Sequence, residues 1–172
     1  MELINIEELI KVLNDLNLPK TNDEKKNFFD ICGYPHYENV VSNVLAYFFE
    51  KYPEIFLNSF LTLLGIENEI FEGVEREVLT EENKRLDIVI TTNNRIIGIE
   101  NKIYANDKNQ PYEDYIAYLK DSEEKKPYTM VLLAISQNKT SNEDVKLINY
   151  KNFLNKIKEN LGKYISNLES DD

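Results

Sequence analysis

A chain of 172 residues with 42% apolar side chains, 30% charged ones and only five glycines and five prolines is suited to one folded domain, not to disorder or two ordinary domains. Its formal charge of -11 excludes a surface that neutralises phosphates broadly, so any contact with nucleic acid has to be local. The single cysteine, Cys32, leaves no internal disulfide, no apolar run reaches the roughly 20 residues that cross a bilayer, and the opening Met-Glu-Leu-Ile-Asn lacks signal-peptide character, so a cytoplasmic location is expected.

Asn5 and Glu8 have the spacing of a helix cap, and Leu9, Ile10, Leu13 and Leu16 then recur at helical intervals up to Pro19. Thr21 with Glu24 repeats that signature before Phe28, Phe29 and Ile31, and Gly33 ends a second helix. From Glu38, a third helix is predicted to line Val41, Val44, Leu45 and Phe48 along one side and to stop before Pro53, with Glu38 and Ser42 sharing another stripe. A fourth, over 54–64, carries Phe56, Leu57, Phe60, Leu61 and Leu64 and closes at Gly65.

The period then changes from helical to alternating. Ile70, Val74 and Val78 interleave with Glu75 and Glu77, and "RLDIVITTNNRIIGIENK" follows as a hairpin turning at Asn93-Asn94, so three antiparallel strands are predicted. A helix over 110–119, with Pro111 in its first turn, crosses to a buried strand over 128–135. A short strand over 146–150 and a closing helix over 151–161 complete the chain. No repeat, low-complexity segment or dividing linker interrupts this order. The expected fold class is α/β: a mixed four- to five-stranded sheet flanked by helices, with residues 1–33 a helical extension on a core over 34–165.

A two-residue turn at Asn93-Asn94 sets Ile88 against Ile99, Ile90 against Ile97 and Val89 against Gly98, and it places Asp87 directly opposite Glu100. Like charges about 4.5–5.5 Å apart at Cβ destabilise a sheet unless a cation neutralises them. Lys102, on the same face and opposite Arg85, supplies part of that charge, and a hard divalent ion suits two convergent carboxylates. The alternative is a four-charge surface lattice of Asp87, Glu100, Lys102 and Arg85, worth under about 1 kcal/mol per pair. Spacing does not choose between them.

Asp87 followed by Glu100-Asn101-Lys102 resembles the signature of the PD-(D/E)XK nuclease superfamily, with its restriction-endonuclease-like core. "FFDICGYPHYENVVSNVLAYFF" is similar to the opening of a bacterial and phage branch, and "ENKIYANDKNQPYEDYIAYL" to that branch's continuation, so the resemblance covers about residues 28 to 150. Leu86 stands where the superfamily name has Pro, and Pro111 where relatives have Leu. The resemblance implies that Asp87 and Glu100 ligate a divalent metal, Mg²⁺ with Mn²⁺ as substitute, together with the Asn101 carbonyl. It makes Glu38 an extra carboxylate that approaches the metal or orients its water, Lys102 a group that positions or helps deprotonate the attacking water, and Gln110 a polar residue close to the substrate phosphate.

Tyr112, Tyr115, Tyr118 and Leu119 read as a core stripe, and His36, the one histidine, as a structural or surface residue. Lys151, Lys156, Lys158 and Lys163 against Glu159 form a basic stripe on the closing helix, which a solvated helix face also displays. The function expected is metal-dependent hydrolysis of phosphodiester bonds in DNA or RNA, in a phage or host-defence setting. The alternatives are a catalytically silent member of the fold that binds a protein partner through its acidic surface, and a nucleic-acid mimic. Self-association is compatible with any of these.

Overall fold

The structure is a computed structural model in which residues 37–103, 109–121, 125–135 and 139–170 are described. The two helices expected in residues 1–33, Cys32 and His36 lie outside those residues, which all belong to a unit running from His36 to Asp172. Among them, helices α1 (Tyr37–Lys51) and α2 (Phe56–Leu64) precede strands β1 (Phe71–Leu79), β2 (Arg85–Thr92) and β3 (Ile96–Lys102). Helix α3 (Tyr112–Lys120) then leads to β4 (Tyr128–Ala134), β5 (Val145–Asn149) and α4 (Tyr150–Ser170).

Local chemistry sets these boundaries. Helix α1 stops short of Pro53, whose ring disfavours helical backbone before it. Helix α2 ends on Gly65 at φ 68°, a left-handed conformation that glycine adopts without strain, while Ile66 N–H donates to the Leu61 carbonyl at 3.0 Å. Helix α3 begins at Tyr112, two residues later than the expected 110, because Pro111 occupies the capping position ahead of the first turn. Helix α4 runs on past the expected end at 161, through exposed Gly162, whose cost of about 1 kcal/mol relative to alanine a 21-residue helix tolerates.

The five strands lie in sequence order, with β1, β2 and β3 antiparallel and β3, β4 and β5 parallel. This is the mixed α/β sheet that the restriction-endonuclease-like resemblance implied. One face carries Ile88, Ile90, Ile97, Ile99, Val131, Leu133 and Ile148 against α1, α2 and α4. Phe49, Phe60 and Phe153 join those three helices, with ring centroids 5.3–6.1 Å apart. The buried stripe of α1 is Ser42, Leu45, Ala46 and Phe49, rotated from the predicted one, and Val44 is 49% exposed. The other face carries Val89, Met130, Leu132 and Val145 against α3, where Tyr112, Tyr115 and Leu119 are buried as the stripe predicts.

Gly98 explains how closely α3 sits. A β-carbon there would lie 2.8 Å from Leu119 Cδ1 and 3.0 Å from Leu86 Cδ2, so glycine lets these side chains of α3 and β2 close over β3 two residues ahead of Glu100 without being displaced. No described helix is long and apolar enough to cross a membrane.

Candidate active site

The β2–β3 hairpin is closed by the Thr92 N–H donating to the Arg95 carbonyl at 2.9 Å, and its ladder pairs Ile88 with Ile99, Val89 with Gly98 and Ile90 with Ile97. That is the register the two-asparagine turn predicts. The ladder stops at Ile88 and Ile99, so Asp87 does not continue it opposite Glu100. Instead Asp87 Oδ2 accepts the backbone N–H of Asn101 at 2.8 Å.

The strands change facing at this point. Leu86 packs with the α3 side of the sheet while Ile88 packs with the other, and on β1 Val78 and Val74 divide in the same way. Between the two valines, Glu77 takes a left-handed φ of 54°, unusual for a residue with a side chain inside a strand. Arg85 turns outward, with its side chain 64% exposed, and pairs with Glu77 at 2.8 Å. The expected opposition of Arg85 and Lys102 is therefore absent: the β2–β3 ladder ends at Ile88 and Ile99, and Arg85 is drawn to Glu77 on β1.

Glu100 and Lys102 are 3% and 9% exposed, which rules out a surface lattice. Lys102 Nζ lies 2.9 Å from Glu100 Oε1 and 3.3 Å from Glu38 Oε2. Glu38 reaches this point from the first turn of α1, and its other oxygen accepts the Ile103 N–H at 2.9 Å. Among the described residues, Glu100 Oε2 is buried and has no hydrogen-bond partner, the nearby Tyr115 hydroxyl being turned to the Arg85 carbonyl. A carboxylate oxygen in that state is costly unless protonated or bound to a cation.

The electrostatics agree. Burial, and then the nearby Asp87 carboxylate, push Glu100 up to about 7, against the pull of Lys102. Burial also raises Asp87; the Asn101 N–H and Lys102 oppose this, and Glu38 and Glu77 add to it. For Lys102 burial alone would lower the pKa, but Glu100, Glu38 and Asp87 raise it on balance. The ammonium is thus a fixed positive charge at neutral pH. Tyr115 closes the α3 side, its hydroxyl donating to the Arg85 carbonyl at 2.8 Å, and burial followed by Glu100 and Asp87 raises its pKa.

Of the residues singled out by sequence, Glu38, Asp87, Glu100, Asn101 and Lys102 come together at the ends of β2 and β3 and the start of α1. Gln110 is half-buried ahead of α3, its carbonyl accepting the Tyr112 N–H at 2.9 Å; among the described residues its side chain makes no hydrogen bond to the cluster. Two neighbours of the cluster leave no signal in the sequence. Glu77, which pairs with Arg85, reads as the polar partner in an alternating strand, and Tyr150, whose hydroxyl donates to Asn101 Oδ1, as a strand end, since neither burial across a sheet nor helix docking leaves a spacing signal.

Among the described residues, no three His, Cys, Asp or Glu side chains gather as a metal-ligating group. What is present still fits a hard divalent cation. The donors are carboxylate oxygens, one of them buried without a partner, and an ion that keeps most of its waters needs only one or two such ligands.

No curated protein and no solved structure matches the chain. The model of the PD-(D/E)XK nuclease superfamily matches residues 26–171, which span every described element of the sheet, and the chain belongs to that superfamily.

Proposed function

We propose that this protein is a metal-dependent nuclease that hydrolyses phosphodiester bonds with water as nucleophile, and that Asp87 and Glu100 hold its divalent cation, Mg²⁺ or Mn²⁺. The observation that carries the reading is the partnerless, buried Glu100 Oε2 beside a second carboxylate and a fixed ammonium. When bound, the ion supplies Lewis-acid polarisation of a phosphate oxygen and acidifies a coordinated water. The Asn101 carbonyl is assigned as a further ligand by the family pattern.

Lys102, held charged by three carboxylates, orients water and offsets charge that develops on the phosphate; its raised pKa favours this over proton abstraction. Glu38 aims that ammonium from α1. With its carboxylate engaged by Lys102 and Ile103, Glu38 is assigned to positioning in place of the metal contact the family pattern gave it. Gln110 retains the proposed role of a phosphate contact made when substrate is present. The water oxygen bonds to phosphorus as the bond from phosphorus to the leaving oxygen breaks; the attacking water gives up a proton to solvent and the leaving oxygen takes one from solvent.

The net charge of -11 favours one second reading, a member of the fold that binds a protein partner without turnover. Incubating labelled single- and double-stranded DNA and RNA with the protein and Mg²⁺ or Mn²⁺ separates the two. Cleavage that disappears with chelator and in Glu100→Gln and Lys102→Ala supports the nuclease. Absence of cleavage, or cleavage that survives both substitutions, supports the binding protein.

A further inference from the structure

Asn101 is fully buried, and by the alternation of a strand its side chain points to the opposite face of β3 from Glu100 and Lys102. There its Nδ2 donates to the Glu38 carbonyl at 3.0 Å and to Ser42 Oγ at 2.9 Å, both on α1. Ser42 Oγ donates in turn to the same Glu38 carbonyl at 2.8 Å. The Asn101 Oδ1 accepts the hydroxyl of Tyr150, the first residue of α4, at 2.5 Å, and the Asn101 backbone N–H is held by Asp87. One residue therefore ties α1, β2, β3 and α4 together, and it sits between the two side chains that face the site.

The two ends of an amide differ only in hydrogen bonding, so their orientation is set by the partners. A Glu38 carbonyl requires the nitrogen on the α1 side, and a tyrosine hydroxyl acting as donor requires the oxygen on the α4 side. Without Tyr150 the buried Oδ1 loses its described donor, and the amide is less firmly held against α1. The slack falls on Glu38 through its carbonyl and on Asp87 through the Asn101 N–H.

We propose that Tyr150 is a positioning residue for the cation site: by orienting the Asn101 amide it fixes where Asp87 and the start of α1 stand. The inference rests on the reading that Asp87 and Glu100 hold a divalent cation. It goes beyond that reading by assigning a role to a helix that carries no ligand. Partners that orient metal ligands typically contribute about 10–100-fold in metal affinity.

The test is Mn²⁺ titration of the full chain by isothermal calorimetry, with nuclease kinetics and thermal melting alongside. Tyr150→Phe, which keeps the ring, is expected to weaken Mn²⁺ binding by about 10-fold and to lower kcat with an unchanged KM for nucleic acid. Ser42→Ala, which removes the other side-chain partner of the same amide, is expected to act in the same direction, and the double variant to lose less than the two effects combined. Tyr164→Phe, on the exposed part of α4, serves as control and is expected to bind as wild type. Unchanged Mn²⁺ affinity in Tyr150→Phe, even with a lowered Tm, overturns the inference and leaves the tyrosine a purely structural role. A wild type that binds Mn²⁺ without cleaving any nucleic acid removes the nuclease reading while the Tyr150 comparison still stands or falls on affinity; a wild type that binds no Mn²⁺ overturns the inference.

Discussion

Asp87 and Asn101 are joined by a hydrogen bond in which a side-chain carboxylate replaces a main-chain carbonyl: Asp87 Oδ2 accepts the Asn101 N–H at 2.8 Å where the β2–β3 ladder has ended. The hairpin thereby opens without leaving that amide unsatisfied, and the acid that holds it open is one of the two proposed to hold the cation.

This double duty separates two substitutions. Asp87→Asn keeps an oxygen that accepts the Asn101 N–H, so its Tm is expected to stay near wild type while metal-dependent cleavage is lost. Asp87→Ala also strands a buried donor and is expected to cost a further 1–3 kcal/mol, about the penalty for such a group. Thermal melting and cleavage assays on the pair check both halves.

Glu100 makes stability depend on pH. Its carboxyl is raised from 4.5 to about 7 by burial and by Asp87, so over that interval the folded protein keeps a proton that the unfolded chain has already released. The stabilisation is complete below the unfolded value and is lost as pH rises through about 7. Metal-free wild type is expected to melt at lower temperature at pH 8 than at pH 5 by a margin that shrinks in Glu100→Gln. Saturating Mg²⁺ is expected to raise the pH 8 value selectively in wild type.

Glu38 is expected to matter through Lys102. Glu38→Gln retains an acceptor for the Ile103 N–H but removes a negative charge 3.3 Å from Lys102 Nζ. Cleavage should fall by about 10-fold or more with little change in Tm, as for other residues that orient a site from behind. A fall no larger than twofold in kcat would contradict this.

Gly98→Ala tests the packing that sets α3 against the site strand. The new methyl would meet Leu119 Cδ1 at 2.8 Å and Met130 Sδ at 3.1 Å in a filled interior, and overpacking of that kind costs about 1–3 kcal/mol. Denaturant unfolding would register the loss; wild-type stability would show that α3 can retreat freely.

The hairpin was legible because its pattern is local. Two asparagines specify a short turn, the turn fixes the register, and alternation then assigns faces, so Ile88 opposite Ile99 follows from counting. The described helices were legible in type, and their ends were clear where Pro53 and Gly65 mark them. The break at Asp87 was not legible, because the left-handed Glu77 and the side-chain capture of the Asn101 N–H arise from tertiary geometry that no spacing encodes. For the same reason Glu100 and Lys102 looked equally suited to a surface lattice until burial was known, and Val44 looked like core although α1 buries the neighbouring stripe through Ser42.

The most direct measurement is Mn²⁺ binding to wild type and Glu100→Gln, followed by isothermal calorimetry at pH 8, where the Glu100 carboxyl is ionised. A site in the wild type that weakens at least about 10-fold in Glu100→Gln, with Tm retained, is the predicted result. Equal affinity in the two proteins would contradict a cation held by Glu100 and with it the central claim.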